Sequence, residues 1–144
     1  MQNAPSLQSV KLLSYDVVAH RIDEHGSLAK TKDAEIALDT DIAGRRNAFN
    51  PAELFLASIA ACMIKGIERA IPMLKFQLRD VEVKLHGVRQ DAPPKMISVE
   101  YELIVDTDES DHRLELLHTN LRKYGTISNT VAEATQLKGV MRKK

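Results

Sequence analysis

One stretch constrains this chain more than any other: Phe49-Asn50-Pro51-Ala52-Glu53-Leu54-Phe55-Leu56-Ala57-Ser58-Ile59-Ala60-Ala61-Cys62-Met63-Ile64. Its opening carries several helix-start signals. Asn50 is a good N-cap, because its side-chain oxygen can accept from a free N–H of the first turn. Pro51 follows at the first helical position, where a missing N–H costs nothing. Glu53 is spaced to reach back to the cap, and Phe49 and Leu54 are spaced to close a hydrophobic staple. From Leu54 to Ile64 the only polar side chain is Ser58, and the run holds the only cysteine, Cys62. A helix that is apolar all round is expected to be buried on all sides. This apolar run is too short to cross a bilayer, which takes about 20 residues. Something in a 144-residue chain must therefore surround the helix.

Length and composition narrow the choices. A chain of 144 residues is expected to form a single domain, here 1–144 with residues 1–8 as a loose lead-in. The charged fraction of 28% and apolar fraction of 44% are those of an ordinary globular protein. Net charge is zero, which argues against nucleic acid or an anionic membrane as partner. The basic end, Arg142-Lys143-Lys144, reads as a solvated terminus. The first residues show no basic region followed by an apolar core, so no signal peptide is expected. A lone cysteine excludes an intrachain disulfide and fits a reducing, cytoplasmic setting.

Along the chain, Leu13, Tyr15 and Val17 alternate with polar residues and predict a strand from Val10 to about Ile22. Asp23-Glu24-His25-Gly26 reads as a turn, with Gly26 free to take a positive φ. Leu28–Lys32 and Ala34–Leu38 are expected as two more strands of an antiparallel meander. The central helix should end near Ile71, before Pro72. Val81, Val83 and Leu85, then Ile97, Val99, Tyr101 and Leu103, alternate with polar residues, and each set predicts a strand with one wet face. Asp91-Ala92-Pro93-Pro94 should join these strands as a hairpin with a long tip. Asp108 or Ser110 caps a second helix with Leu114, Leu117 and Leu121 on one face and Gly125 at its C-terminus. A short helix from Ser128 or Asn129 to about Thr135 and a last strand from Gln136 to Arg142 complete the pattern. The fold class is α+β, with mostly antiparallel sheets packed on a long central helix. One sheet and one surface helix cannot cover that helix on every side. A homodimer with the central helices near a two-fold axis is the economical solution.

Two motifs carry a resemblance. The string from Asn50 to Cys62 resembles the central-helix motif of the OsmC/Ohr family, in which a Pro, Glu and Leu cluster begins a long helix and a cysteine follows after small residues. Lys123-Tyr124-Gly125-Thr126-Ile127-Ser128-Asn129-Thr130 resembles its second motif. The order of elements agrees over roughly residues 10–142. The resemblance implies an intertwined homodimer with two sites at the subunit interface. It also implies reduction of organic hydroperoxides by a thiolate on the central helix, with a second cysteine and an external dithiol closing the cycle. Such a nucleophile needs a thiol pKa below its ordinary value near 8.5, a shift that a carboxylate-held arginine supplies.

The chain departs from that pattern at three places. Gly125 stands where the redox-active members carry the second cysteine. Ala52 stands where the arginine-pairing glutamate would be, and Glu53 matches a neighbouring position. Glu24 stands where the arginine before the hairpin glycine is expected, with Arg21 close by and Arg45 and Arg46 ahead of the helix. A two-cysteine cycle therefore cannot run within one chain. A one-cysteine cycle through Cys62 with an external thiol reductant is chemically complete. The candidate catalytic residues are Cys62, Glu53 and Arg21. Each also has a plain structural reading: a small buried hydrophobe, a capping-box acid and a solvated strand charge.

No cofactor and no metal is implied. His20 and His25 flank a turn with Asp23 but fit no established zinc spacing. His112 and His118 are about 240° apart on their helix, and His86 sits on a wet strand face. Two functions follow. One is a thiol-dependent organic hydroperoxide reductase acting through Cys62. The other is a non-catalytic dimer whose interface binds a small apolar or electrophilic ligand, with Cys62 as pocket wall or sensor.

Overall fold

The computed structural model describes residues 10–144, and the expected lead-in at 1–8 lies outside them. The element order is β1 (Val18–Asp23), β2 (Gly26–Thr31), β3 (Ala34–Asp39), α1 (Pro51–Leu74), β4 (Asp80–Asp91), β5 (Pro94–Asp106), α2 (Asp111–Tyr124), α3 (Thr126–Ala132) and β6 (Gln136–Lys143). The residues fall into two compact units, one ending at Pro51 and one spanning Ala52–Lys144.

The first unit is the expected antiparallel meander, in the order β1-β2-β3. β1 is shorter than its periodicity suggested. Residues 10–17 lie outside the ladder, because alternation specifies a pleated face and cannot supply a neighbouring strand. Thr31 holds this approach segment by donating its hydroxyl to the Asp16 carbonyl at 2.7 Å. Gly26 does not use a positive φ, since Gly44 is the glycine with one among the described residues. An added Cβ at Gly26 would press on the Arg45 guanidinium, the end of a flexible side chain that can move aside, and would otherwise make ordinary contacts. The loop after β3 is organised by buried Asp39, whose carboxylate accepts from the N–H groups of Asp41 and Arg45 at 3.1 and 2.9 Å.

The second unit packs three helices on a sheet ordered β4-β5-β6. β4 and β5 form the expected antiparallel hairpin, but its tip is the two residues Ala92 and Pro93, tighter than anticipated. β6 runs parallel to β5, with Val99 opposite Leu137 and Leu103 opposite Met141. The two intervening helices provide the crossover that a parallel return requires. Val99, Tyr101, Leu103 and Val105 face inward onto Leu114, Leu117 and Leu121 of α2 and Ile59, Met63, Ile67 and Ala70 of α1. Lys84, His86, Glu100, Glu102 and Lys138 alternate with them on the wet face, where Lys138 pairs with Glu100 at 3.5 Å.

α1 begins at Pro51, as the start signals require, but continues to Leu74 with Pro72 inside it. Pro72 sits in the last turn, where most of the helix is already built. The helix stops because Lys75 takes a φ of +49°. The Phe76 N–H then returns to the Ile71 carbonyl at 3.0 Å, the six-residue closure of a Schellman cap, and Phe76 buries itself in the core. Arg113 adds hydrogen bonds to the carbonyls of Leu74 and Lys75. The expectation of burial on all sides is not met within one chain. α1 buries one stripe, Ile59, Met63, Gly66, Ile67 and Ala70, and leaves Ala61 and Ile64 exposed. Ser58, the lone polar residue of the run, donates to the Phe55 carbonyl at 2.6 Å within its own helix.

Candidate functional site

Cys62 flanks the buried stripe of α1 and is half-buried as a free thiol. What brings a partner to it is the crossing of α1 and α2. Gly66 lets α2 approach closely, since a Cβ there would stand 3.3 Å from Leu121 Cβ. One turn earlier on α1 is Cys62, and one turn later on α2 is Gly125. Cys62 Sγ stands 3.3 Å from the point a Gly125 Cβ would occupy. The two close approaches are thus one helical repeat apart on each helix.

Gly125 is at once the C-cap of α2 and the N-cap of α3, with φ −78° and ψ 113°. Its carbonyl accepts the first α3 bond, from the Asn129 N–H at 2.9 Å. A Cβ at Gly125 would meet the Leu121 carbonyl oxygen at 2.9 Å, so the missing side chain is what permits the tight turn between the helices. Arg69 of α1 ties down the end of α2, donating to the Tyr124 carbonyl at 3.2 Å with its guanidinium 5.6 Å from the Tyr124 ring centre. Asn129 donates to the Lys123 carbonyl at 3.2 Å and fixes α3 against the same turn.

Ser128 completes the site. It is 1% exposed, and its hydroxyl has no hydrogen-bond partner in the structure. That hydroxyl lies 3.2 Å from the same Gly125 Cβ point that Cys62 Sγ touches. The sequence reading placed Ser128 only as a possible helix start. Its one signal was position, three residues past the glycine that replaces the expected second cysteine. Gly66 was likewise missed, although a glycine inside an apolar helix marks a close helix approach.

Glu53 and Arg21 are placed separately. Glu53 is exposed in the first turn of α1. Nine residues along an α-helix amount to about 13 Å of rise and half a turn of rotation, so α1 itself does not carry Glu53 to Cys62. Arg21 is exposed on β1, opposite Ser27. Among the described residues no group of three or more His, Cys, Asp or Glu side chains is placed to hold a metal ion. His25 is engaged with Asp41 through a 2.7 Å contact, which holds the Asp41 carboxyl below its ordinary range.

A second polar cluster lies in the same unit, between β5 and α2. The buried Tyr101 hydroxyl accepts from Arg122 at 2.8 Å and lies 2.6 Å from His118 Nε2. Burial first, and the Arg122 charge second, hold the His118 imidazole below its ordinary value of 6.5. His118 is therefore neutral at pH 7 and shares this hydrogen bond with Tyr101 as an uncharged imidazole. Gly139 makes room for this arrangement, because a Cβ there would stand 2.5 Å from Tyr101 Cγ.

With this geometry the chain can be set beside known proteins. The model of a family described as OsmC, OsmC-like protein, matches residues 44–138, more than half of the chain. No curated protein matches it by sequence. Among solved structures, the OsmC-like protein from Mycoplasma pneumoniae superposes with a TM-score of 0.82 at 16% identity, covering 91% of this chain and 97% of that one. The organic hydroperoxide resistance protein OsmC from Legionella pneumophila gives 0.72 at 22% identity, covering 92% and 98%. OhrB of Bacillus subtilis, an organic hydroperoxide resistance protein, gives 0.66 at 16% identity, covering 92% and 100%. At these identities the superpositions establish a shared α+β fold.

Proposed function

This chain belongs to the OsmC-like protein family, and from that premise we propose that it reduces organic hydroperoxides through Cys62 alone, with an external thiol as reductant. The observation that carries the proposal is the position of the single thiol. Cys62 is partly accessible on α1, beside a helix junction whose residue, Gly125, sets no side chain against the sulfur. Two of the superposing structures are organic hydroperoxide resistance proteins.

The chemistry balances with one cysteine. The Cys62 sulfur attacks the outer oxygen of the hydroperoxide. An S–O bond forms as the O–O bond breaks. Sulfur gives up two electrons and becomes a sulfenic acid. The leaving alkoxide takes a proton and departs as the alcohol. One external thiol then condenses with the sulfenic acid, releasing water and leaving a mixed disulfide, and a second restores the Cys62 thiol. Glu53 and Arg21 are the candidates for stabilising the thiolate form. Because α1 does not bring Glu53 to Cys62 by itself, their contribution would come through assembly.

Assembly as a homodimer is part of the proposal. Leu13, Tyr15, Val18 and Ile22 are exposed apolar side chains of the first unit, and Ile64 and Met73 of α1 are exposed too. Within each unit, exposed apolar side chains of this kind mark an interaction site. Among the described residues no helix is long and apolar enough to cross a membrane. A cytoplasmic location is proposed with the function.

The test is mass spectrometry of the reduced protein after a pulse of cumene hydroperoxide, with Cys62→Ser as control. A gain of one oxygen on Cys62, with stoichiometric alcohol formed, supports the reading. A thiol that neither gains oxygen nor reacts with a small alkylating reagent at pH 6 until the protein unfolds would refute it. The alternative, a ligand-binding dimer, would show saturable binding of an apolar probe without any change in mass. Sedimentation settles the dimer separately: a monomer at micromolar concentration refutes it.

A further inference from the structure

We infer that the first unit carries a binding site for a small apolar carboxylate, in which Arg45 takes the carboxylate and one face of the β1-β2-β3 sheet takes the aliphatic tail. The site is built from residues of the first unit alone, and it does not depend on the chemistry of Cys62.

A cavity of about 460 Å³ opens on the meander. Its floor is apolar. Leu28 of β2 stands directly opposite Ala37 of β3, so the two side chains share a face. Ile22 joins them from β1, where an irregularity between Arg21 and Asp23 leaves it outside the pairing register. Gly26 lies two residues before Leu28 and belongs to the same face. It carries no side chain, and the Arg45 guanidinium rests against the strand where a Cβ would stand. The loop after β3 fixes Arg45 in advance. Its backbone N–H is held by buried Asp39 at 2.9 Å, and its Nε donates to the Asn47 side-chain carbonyl.

These contacts leave the outer end of a half-buried guanidinium unused. Among the described residues neither Nη group of Arg45 has a hydrogen-bond partner, and no carboxylate pairs with it. The acidic groups nearby are engaged elsewhere. Asp23 Oδ1 accepts from the N–H groups of His25 and Gly26 at 2.8 and 3.2 Å, and Asp41 is held by His25 at 2.7 Å. The two Nη groups form a planar fork that fits the two oxygens of one carboxylate. An apolar floor with one orienting charge is the usual make-up of a small-molecule site. Asp23 also lines the cavity, so a monoanion suits a single guanidinium there better than a dianionic phosphate does.

The experiment titrates the full-length reduced protein, with no oxidant present, against sodium octanoate, octanol and octylammonium chloride. Binding is followed by calorimetry and by the amide resonances of Gly26, Leu28 and Ala37. The expected result is saturable octanoate binding that shifts those amides. It should be about tenfold tighter than binding of either control, because octanoate alone brings the charge that Arg45 lacks. Arg45→Gln should weaken octanoate about tenfold and leave octanol unchanged. Arg45→Lys, which keeps the charge without the fork, should fall between. Ala37→Phe, which fills the floor, should remove octanoate binding. A thermal melt checks that each variant is folded. Equal affinity for octanoate and octanol, or an unchanged affinity in Arg45→Gln or in Ala37→Phe, overturns the inference. Displacement of octanoate by a lower concentration of inorganic phosphate overturns the carboxylate assignment. Absence of octanoate binding at millimolar concentration, the result if a second protomer fills the cavity, overturns the inference as well. The reductase reading is tested apart from all of these, since Cys62 is never oxidised in them.

Discussion

Cys62 Sγ lies 3.3 Å from the position a Gly125 Cβ would take, although the two residues are 63 apart in the sequence. The contact is made by helices that cross closely at Gly66 and Leu121, and it places the only thiol against the turn between α2 and α3. Gly125 has an ordinary negative φ, so its backbone conformation is open to any residue.

Gly125→Cys should therefore form a disulfide with Cys62. A sulfur on that Cβ would fall within bridging reach of Cys62 Sγ, the geometry on which engineered disulfides depend. The Leu121 carbonyl oxygen, 2.9 Å from the new Cβ, must shift slightly. That costs the reduced variant about 1–2 kcal/mol. Oxidation should lower the intact mass by two hydrogens and block alkylation of both thiols. Two alkylatable cysteines after oxidation would show that the α2–α3 turn does not face Cys62.

His118 makes stability depend on pH. Its folded value is depressed below 6.5, so the unfolded chain binds more protons once the pH falls below that point. The stabilising effect is present above pH 6.5 and is lost as the pH falls from there through the folded value. Denaturant midpoints measured between pH 8 and 5 should fall on the acid side. The fall should be shallower in His118→Gln, which keeps a polar partner for Tyr101. A parallel fall in both proteins would place the effect elsewhere.

Gly139→Ala should be severe. A Cβ there would stand 2.1 Å from the Tyr101 carbonyl oxygen of the paired strand and 2.5 Å from its ring. Neither atom belongs to a flexible side-chain end, so β6 must move away from β5. The expected loss is about 3 kcal/mol or more, read as a drop in denaturant midpoint or as insoluble protein.

Lys75→Gly should stabilise. Lys75 holds a φ of +49° to close α1, a conformation that is strained for a residue with a Cβ. Glycine relieves that strain at some cost in unfolded-state entropy, leaving a net gain of about 0.5–1 kcal/mol. Chemical denaturation checks it, and a loss of stability would mean that the Lys75 side chain contributes packing that outweighs its backbone strain.

The sequence by itself determined where the two long helices begin and which face of β5 is buried from Val99 on, because those depend on local chemistry; α3 begins at Thr126, ahead of the expected Ser128 or Asn129, and Ile97 is exposed. Pro51 starts α1, Ser110 caps α2 by accepting from the Arg113 N–H at 3.2 Å, and the alternation around Val99, Tyr101 and Leu103 marks the core face of β5. The family was legible for the same reason, since its motifs are contiguous strings. Where local rules competed with packing, the sequence was a poorer guide. A proline near its end did not stop α1, because a left-handed lysine and a buried phenylalanine closed the helix one turn later. Alternation at Leu13, Tyr15 and Val17 did not make a strand, because pairing needs a partner. The candidate site was only partly legible: Cys62 stood out as the one thiol on a distinctive helix. Tertiary structure alone decided that Gly66 admits α2, that Gly125 meets the sulfur, and that the Ser128 hydroxyl is buried without a partner beside it. Those are facts about distance between residues remote in the chain, and no local pattern encodes them.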